Sequence, residues 1–447
     1  LTNIDELVEK IRGWIEEKDI PPGEVVSGGG YDDSLLAEKR HPTRFDLDRA
    51  STVHPIVLGH VSGHLRAANS AALEASNITA ATADPDGGHI RRVEGSMEPN
   101  GVFEERAGRL LIGGGSALSP EEFDALIRRS IGVYLGYGTT TIQNGGGTGP
   151  QTVERLRVAA EREPFDADLA VFTSSGAILQ ERLQYEPTYS NGLRVAGVKF
   201  VLDGSPQGRT AWVTEPYEEG PPGAPADYRA YGTMDPAAYK ADAGALIARG
   251  VPFLAHANGD AAMDLMIDGV DEAIAGTDHR SVIIHAQLMR ADQLDRAAEL
   301  NVVPSFFAAH AFFWGDWHRL SFGEERGNNI SPVRWAIDRG VNFTVHNDAS
   351  VVPPDMMRLV SITVNRKTRS GHVLGPHQRA TIQEALHAVT LGAAYQYFEE
   401  ETKGSITVGK QADLVILGEN PITADPAELE HIPILETFSR GRSVYTR

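Results

Sequence analysis

The chain has no cysteine among its 447 residues. That absence excludes disulfides, thiolate zinc sites and a cysteine nucleophile. Any metal site must therefore be built from histidine, carboxylates or a modified lysine. Positive charge is also scarce: 41 Lys and Arg stand against 61 Asp and Glu, a net charge of −20. Nucleic acid and anionic membrane both call for Lys/Arg-rich faces, so neither is expected as a partner. No apolar run reaches the ~20 residues of a membrane span. Leu1 opens an amphipathic pattern in place of a signal peptide, and the expected compartment is the cytoplasm, although a chain that opens without methionine is compatible with a processed leader. The phosphate-cradling G-x-G-x-x-G of a doubly wound fold is missing as well.

What is present is an ordinary globular composition, 41% hydrophobic and 23% charged. Residues 1–115 are irregular: a helix over Ile4–Lys18, a turn at Gly28–Gly30, an apolar run at Pro55–Gly59 and a short helix at Asn69–Ala75. From about Ser119 onward, short β-branched runs alternate with helical patterns. The runs are Thr139–Gln143, Asp168–Thr173, Val195–Leu202, Val251–His256, Ser281–His285, Asn301–Phe307 and Val341–His346. Helices are expected between them at Pro120–Leu135, Pro236–Arg249, Ala261–Ala275 and Ala291–Leu300, and after them at Thr381–Phe398. The alternation predicts βαβ units and a parallel sheet, and the fold expected is an α/β (β/α)₈ TIM-like barrel with seven of its eight strands visible. The tail, Gly404–Leu417 and Ile434–Val444, reads as strands without intervening helices, forming a small separate sheet.

A barrel of this kind works at the C-terminal ends of its strands. Two runs end in histidine, at His256 and His285, and the run from Val341 leads to Asp348. Neutral imidazoles and carboxylates make a zinc shell, and Asp348 could both ligate metal and serve as general base. Lys199 lies inside an otherwise apolar strand, where an ammonium ion is costly and its pKa should fall. Reaction with CO₂ would make it a carbamate able to bridge two metals; the same lysine could instead end in water or pair with Asp203. His310 follows the seventh strand and could polarise a carbonyl or simply pack. His64 could line the substrate pocket, and Arg209 could bind a substrate carboxylate or anchor a loop. His346 is expected to support a ligand, and His41 reads as surface or structural. The cluster Phe312, Phe313, Trp314 and Trp317 suits a pocket wall or core packing, with His318 in the same aromatic loop.

Together these residues resemble a known family. His256-Ala-Asn-Gly-Asp260, Ile284-His-Ala-Gln287, His346-Asn-Asp-Ala-Ser350, Val198-Lys-Phe-Val-Leu-Asp-Gly204 and Lys403–Leu417 are similar to the amidohydrolase superfamily. The nearest branch is the YtcJ-like amidohydrolase 3 group, which includes N-substituted formamide deformylase. The resemblance implies Lys199 as a carboxylated ligand on strand four, His256 and His285 as ligands on strands five and six, and Asp348 as the strand-eight ligand and base. It also implies one or two divalent ions, zinc foremost, hydrolysis of an amide-type C–N bond in a small-molecule substrate, and a small β-sandwich beside the barrel. The assembly considered is a homodimer. The domains expected are an insertion over 1–118, a barrel over 119–400 and sandwich strands over 401–447.

The family's first strand ends in H-x-H, which this sequence lacks. His60-Val-Ser-Gly-His64 is a poor substitute, because Ser62-Gly63 makes a weak helix centre. The expectation is that the natural polypeptide is longer by about 60–90 residues and that the chain starts after strand one. The alternatives are a protein that lacks the strand and holds at most one metal, a catalytically inactive scaffold, or a deaminase or esterase of the same superfamily.

Overall fold

The computed structural model describes residues 1–113, 118–273 and 276–447, and the chain divides into two compact units. The first unit comprises Leu1–Ala117, Asp203–Met234 and Leu320–Gly323. It carries a mixed sheet of β1 (Val26–Tyr31), β2 (Ile56–His60), β3 (Leu65–Ala68), β4 (Gly88–Arg92) and β5 (Pro99–Glu105), ordered β1-β2-β3-β5-β4. β1 and β2 run parallel and the other neighbours antiparallel. Alternation along β2 sends Ile56 and Leu58 to one face and Val57 to the other. The first face packs with Leu7 and Ile11 of the helix Ile4–Glu17, and the second with Leu73, Ile90 and Phe103. Asn3 caps that helix by accepting the Glu6 amide at 2.8 Å. The segment Asp203–Met234 is tied in by Thr210, which donates to Glu105 at 2.9 Å, and by Tyr231, which donates to Glu104 at 3.0 Å.

The second unit comprises Leu118–Leu202, Asp235–Arg319 and Glu324–Arg447. Its main sheet is β6 (Thr141–Thr148), β7 (Asp168–Thr173), β8 (Leu193–Val201), β9 (Phe253–Ala257), β10 (Val282–His285), β11 (Val303–Phe306) and β12 (Thr344–Val345). Its seven strands lie in chain order and every neighbouring pair is parallel. Each strand overlaps one of the seven apolar runs of the sequence, although β12 keeps only Thr344–Val345 of the run from Val341 and β6 continues to Thr148. Such runs read as near-continuous because crossover helices cover the strands. The sheet is a curled half-barrel; among the described residues no strand links β12 back to β6. At the N-terminal strand ends, Arg194 pairs with Glu399 at 2.6 Å while Lys403 bridges Asp168 at 2.7 Å and Glu399 at 2.9 Å. Open chemistry is left to the opposite end.

β8 depends on one glycine. Gly197 has φ +149°, and a Cβ there would stand 2.1 Å from the Pro252 carbonyl oxygen. Gly197→Ala should cost about 2–4 kcal/mol through overpacking in a buried strand. A urea midpoint within error of the unsubstituted chain would contradict this.

Two local expectations need correction, one in a helix and one in the tail. The helix expected over Thr381–Phe398 is two, Ile382–Val389 and Leu391–Gln396, broken at Thr390. The Thr390 hydroxyl donates to the Leu386 carbonyl at 2.7 Å, a back-bond that competes with the helical ladder. The tail strand expected over Gly404–Leu417 begins only at Leu414, because Gly404 and Gly409 turn the chain with φ +80° and +97°. β13 (Leu414–Leu417), β14 (Ile434–Ser439) and β15 (Arg442–Thr446) form a three-stranded antiparallel sheet, and no sandwich is completed among the described residues. The helix expected over Ala261–Ala275 is observed as Asp260–Ala273; residues 274–275 lie outside the described residues, as do 114–117 at the end of the first expected domain. No helix among the described residues is long and apolar enough to cross a membrane.

Candidate metal centre and catalytic residues

Parallel strands end side by side, so residues that close β8, β9, β10 and β12 are delivered to one rim. His256 is the penultimate residue of β9 and His285 the last of β10. Alternation alone would separate them, since Ile284, not His285, is the register partner of His256. The backbone at His285 resolves this. Its φ is +83°, far from the about −120° of a parallel strand, and rotation about N–Cα swings the ring across to the His256 side. The two ring centroids lie 4.5 Å apart, with His256 Nδ1 3.0 Å from His285 Nε2. Two donors bound tetrahedrally to one zinc at ~2.0–2.1 Å stand about 3.3 Å apart, so a slight opening of this contact would seat a shared ion.

The far side of each ring is anchored. His285 Nδ1 lies 3.0 Å from His346 Nε2, and His346 Nδ1 lies 2.9 Å from Ser305 Oγ. With His346 donating to Ser305 and His285 donating to His346, His285 Nε2 keeps a lone pair for metal. Asn258 Nδ2 sits 3.0 Å from His256 Nε2. Ligation through His256 Nδ1 requires that amide to turn over, so that its oxygen accepts an Nε2 proton. Phe307 stacks on His346 at 5.2 Å and meets His310 at 4.5 Å, an apolar wall shared by the rings.

Burial sets the protonation states. It pushes His285 and His310 well below the ordinary imidazole range, helped at His285 by His256, His346, Lys199 and His310, and at His310 by His318 and His346. Burial and then the Lys199 charge bring His346 down to about 3. Neutral imidazole is the ligating form. Lys199 is half-buried by surface area, yet lies deep enough among protein atoms for burial to lower its amine to about 8, with the Asp348 carboxylate opposing. Asp348 follows β12 on an exposed turn with φ +54°. His310 opens the short helix His310–Phe313, its Nδ1 2.9 Å from His318 Nε2 and its ring stacked on that histidine.

The structure thus brings His256, His285, His346, Lys199, Asp348 and His310 to the strand ends of the second unit. His64 and Arg209 belong to the first unit. His64 Nδ1 meets Glu105 at 2.6 Å. Arg209 is buried, holding Glu219 at 2.7 Å, the Gly220 carbonyl at 2.9 Å and Ser321 at 3.1 Å, the contacts of a loop anchor.

Sequence reasoning missed a second group of ligating atoms. Asp33, His41 and His60 are all buried in the first unit, with one potential ligand atom from each lying within 4.8 Å of the others. His41, read as surface or structural, is 5% exposed. His60, weighed only as part of a helix, ends strand β2. No local pattern flags these residues, because the parallel pairing of β1 with β2 brings them together.

The sequence profile of the amidohydrolase family matches residues 1–445, and the chain belongs to that family. It is 25% identical over 460 aligned positions to the putative amidohydrolase YtcJ of Bacillus subtilis, covering 100% of this chain and 84% of that protein. It is 26% identical to the N-substituted formamide deformylase of Arthrobacter pascens, covering 100% of this chain and 83% of that protein. An uncharacterized metal-dependent hydrolase from Pyrococcus horikoshii shares the fold, with a TM-score of 0.69 at 23% identity, covering 95% of this chain and 82% of that one.

Proposed function

We propose that the chain is a metal-dependent hydrolase of amide-type C–N bonds, with N-substituted formamides or related N-acyl compounds as the substrate class. The observation that carries this reading is the convergence of His256 Nδ1 and His285 Nε2 at 3.0 Å, with both rings buried. The donor set fits a borderline ion such as zinc, with Lys199, His256, His285 and Asp348 as the residues that would hold one or two ions. When bound, such an ion lowers the pKa of water and polarises a carbonyl. The chain's own residues supply the rest. Asp348 accepts the proton of the attacking water and returns it to the departing amine nitrogen. His310 donates to the oxygen that gains charge as the carbonyl becomes tetrahedral. The Lys199 amine, brought down to about 8, is partly neutral near pH 7.5. It can add to CO₂, forming an N–C bond and releasing one proton, to give an anionic carbamate. The similarity to a protein named as a formamide deformylase supports the substrate class.

The test is hydrolysis by zinc-loaded protein prepared with bicarbonate, using N-alkyl and N-aryl formamides and their N-acetyl counterparts. Formate and free amine in equal amounts, lost on chelation and restored by zinc, are expected. Zinc-loaded protein inert on both series would overturn the reading.

A further inference from the structure

The geometry points to a second metal site in the first unit, formed by Asp33, His41 and His60, that takes a divalent ion of the zinc class; it goes beyond the barrel chemistry proposed above. β1 and β2 are parallel, so their C-terminal ends lie together, with Tyr31 opposite His60. A register shift between Gly29 and Tyr31 marks a bulge, and bulges re-aim the residues that follow them. Asp33 lies two residues past the end of β1, and His41 enters from the loop before the helix Arg44–Asp48.

The orientation of the rings makes this a metal geometry. His60 Nε2 lies 2.9 Å from Asp33 Oδ1, and His41 Nε2 lies 3.8 Å from Asp33 Oδ2. Both imidazoles thus turn the same nitrogen toward one carboxylate. The other nitrogen of each ring is also held: His60 Nδ1 accepts from the Ser62 backbone N–H at 3.2 Å and lies 2.8 Å from Ser62 Oγ, and His41 Nδ1 is 3.2 Å from the Tyr31 hydroxyl. In the metal-free chain His60 Nε2 carries the proton given to Asp33; ligation through it requires that proton to move to Nδ1, where the Ser62 hydroxyl can accept it. The rings cross at 77° with centroids 5.3 Å apart, so the two donors approach from different directions.

Arg91, whose charge reaches Asp33, donates through Nε to Glu104 at 2.6 Å. Asp33 supplies the carboxylate of the site toward a dication. Two imidazoles and one carboxylate favour zinc over calcium or magnesium, which prefer all-oxygen shells. A buried site with three ligands anchors the loop Asp32–Thr43 to the ends of β1 and β2, a structural task.

Zinc bound per chain, counted by atomic emission after chelation and equilibrium dialysis, tests this. His256→Ala/His285→Ala is expected to keep one Zn²⁺ per chain. Asp33→Asn and His60→Gln, with the barrel residues unchanged, are each expected to bind one ion fewer than the unsubstituted chain. Where either fails to fold by circular dichroism, Tyr31→Phe/Ser62→Ala decides: it removes only the anchors and should weaken one ion by ~10–100-fold. Folded Asp33→Asn and His60→Gln with undiminished zinc, an anchor variant with unchanged affinity, or a His256→Ala/His285→Ala chain without zinc would each overturn the proposal.

Discussion

Lys199→Met is expected to abolish metal-dependent hydrolysis while making the metal-free chain more stable at pH 7. The two effects share one cause. Methionine keeps the length of the side chain and its apolar body but carries no amine to desolvate and none to add to CO₂. Burial lowers the folded-state pKa of Lys199 to about 8 from an ordinary 10.5. The unfolded chain therefore binds the extra proton between those values, and stability rises with pH across roughly 8–10.5. Below pH 8 the penalty is complete. Allowing for the partial exposure of Lys199, removing it should stabilise the metal-free fold by about 1–2 kcal/mol at pH 7. The difference between the two chains should shrink as pH rises toward 10.5. Loss of a charge-stabilising ligand is worth several kcal/mol in the transition state, a rate loss on the order of 10³-fold or more. Urea melts at several pH values, with formate release at pH 7.5, check both halves. An active Lys199→Met chain would sink the role of the lysine, and a flat pH difference would sink its burial.

Asp348→Asn should lower the rate by ~10²–10⁴-fold, the usual worth of general acid–base catalysis, while leaving stability nearly unchanged. The backbone is the reason the substitution is clean. Asp348 sits at φ +54°, a left-handed conformation that asparagine tolerates as well as aspartate does. The side chain is exposed, so little packing is lost. Asparagine keeps the shape but is a poor proton acceptor. A melting temperature within a degree or two, beside a collapsed kcat, is the expected pair of results. Equal kcat for the two chains would remove Asp348 from the chemistry.

Much of the second unit was legible because parallel strands announce themselves twice. They are apolar on both faces, and each is followed by a helix of predictable length. His256, His285 and Lys199 could be singled out because a polar residue inside or ending such a run is conspicuous. The relation between the histidines was not legible. Alternation places their side chains on opposite faces, and only the left-handed angle at His285, which no sequence pattern specifies, brings the rings together. The first unit was harder still. Its five strands are short and its sheet is mixed, so the period-2 signal never runs long enough to register. The allegiance of Asp203–Met234 depends on hydrogen bonds more than a hundred residues apart in sequence, from Thr210 to Glu105 and from Tyr231 to Glu104. Asp33, His41 and His60 meet for the same kind of reason.

The left-handed angles at His285, Ala286 and Asp348, +83°, +47° and +54°, have an evolutionary consequence. Each such residue costs of order 1–3 kcal/mol that the surrounding structure must absorb. Under selection for heat resistance alone, Ala286 should drift toward glycine, which relieves the angle, while nothing holds Asp348 against exchange for asparagine, which tolerates the angle equally. The second of these exchanges is also the one expected to silence the chemistry. Thermostable descendants bred without an activity screen should therefore accumulate inactive chains that fold as well as their parent.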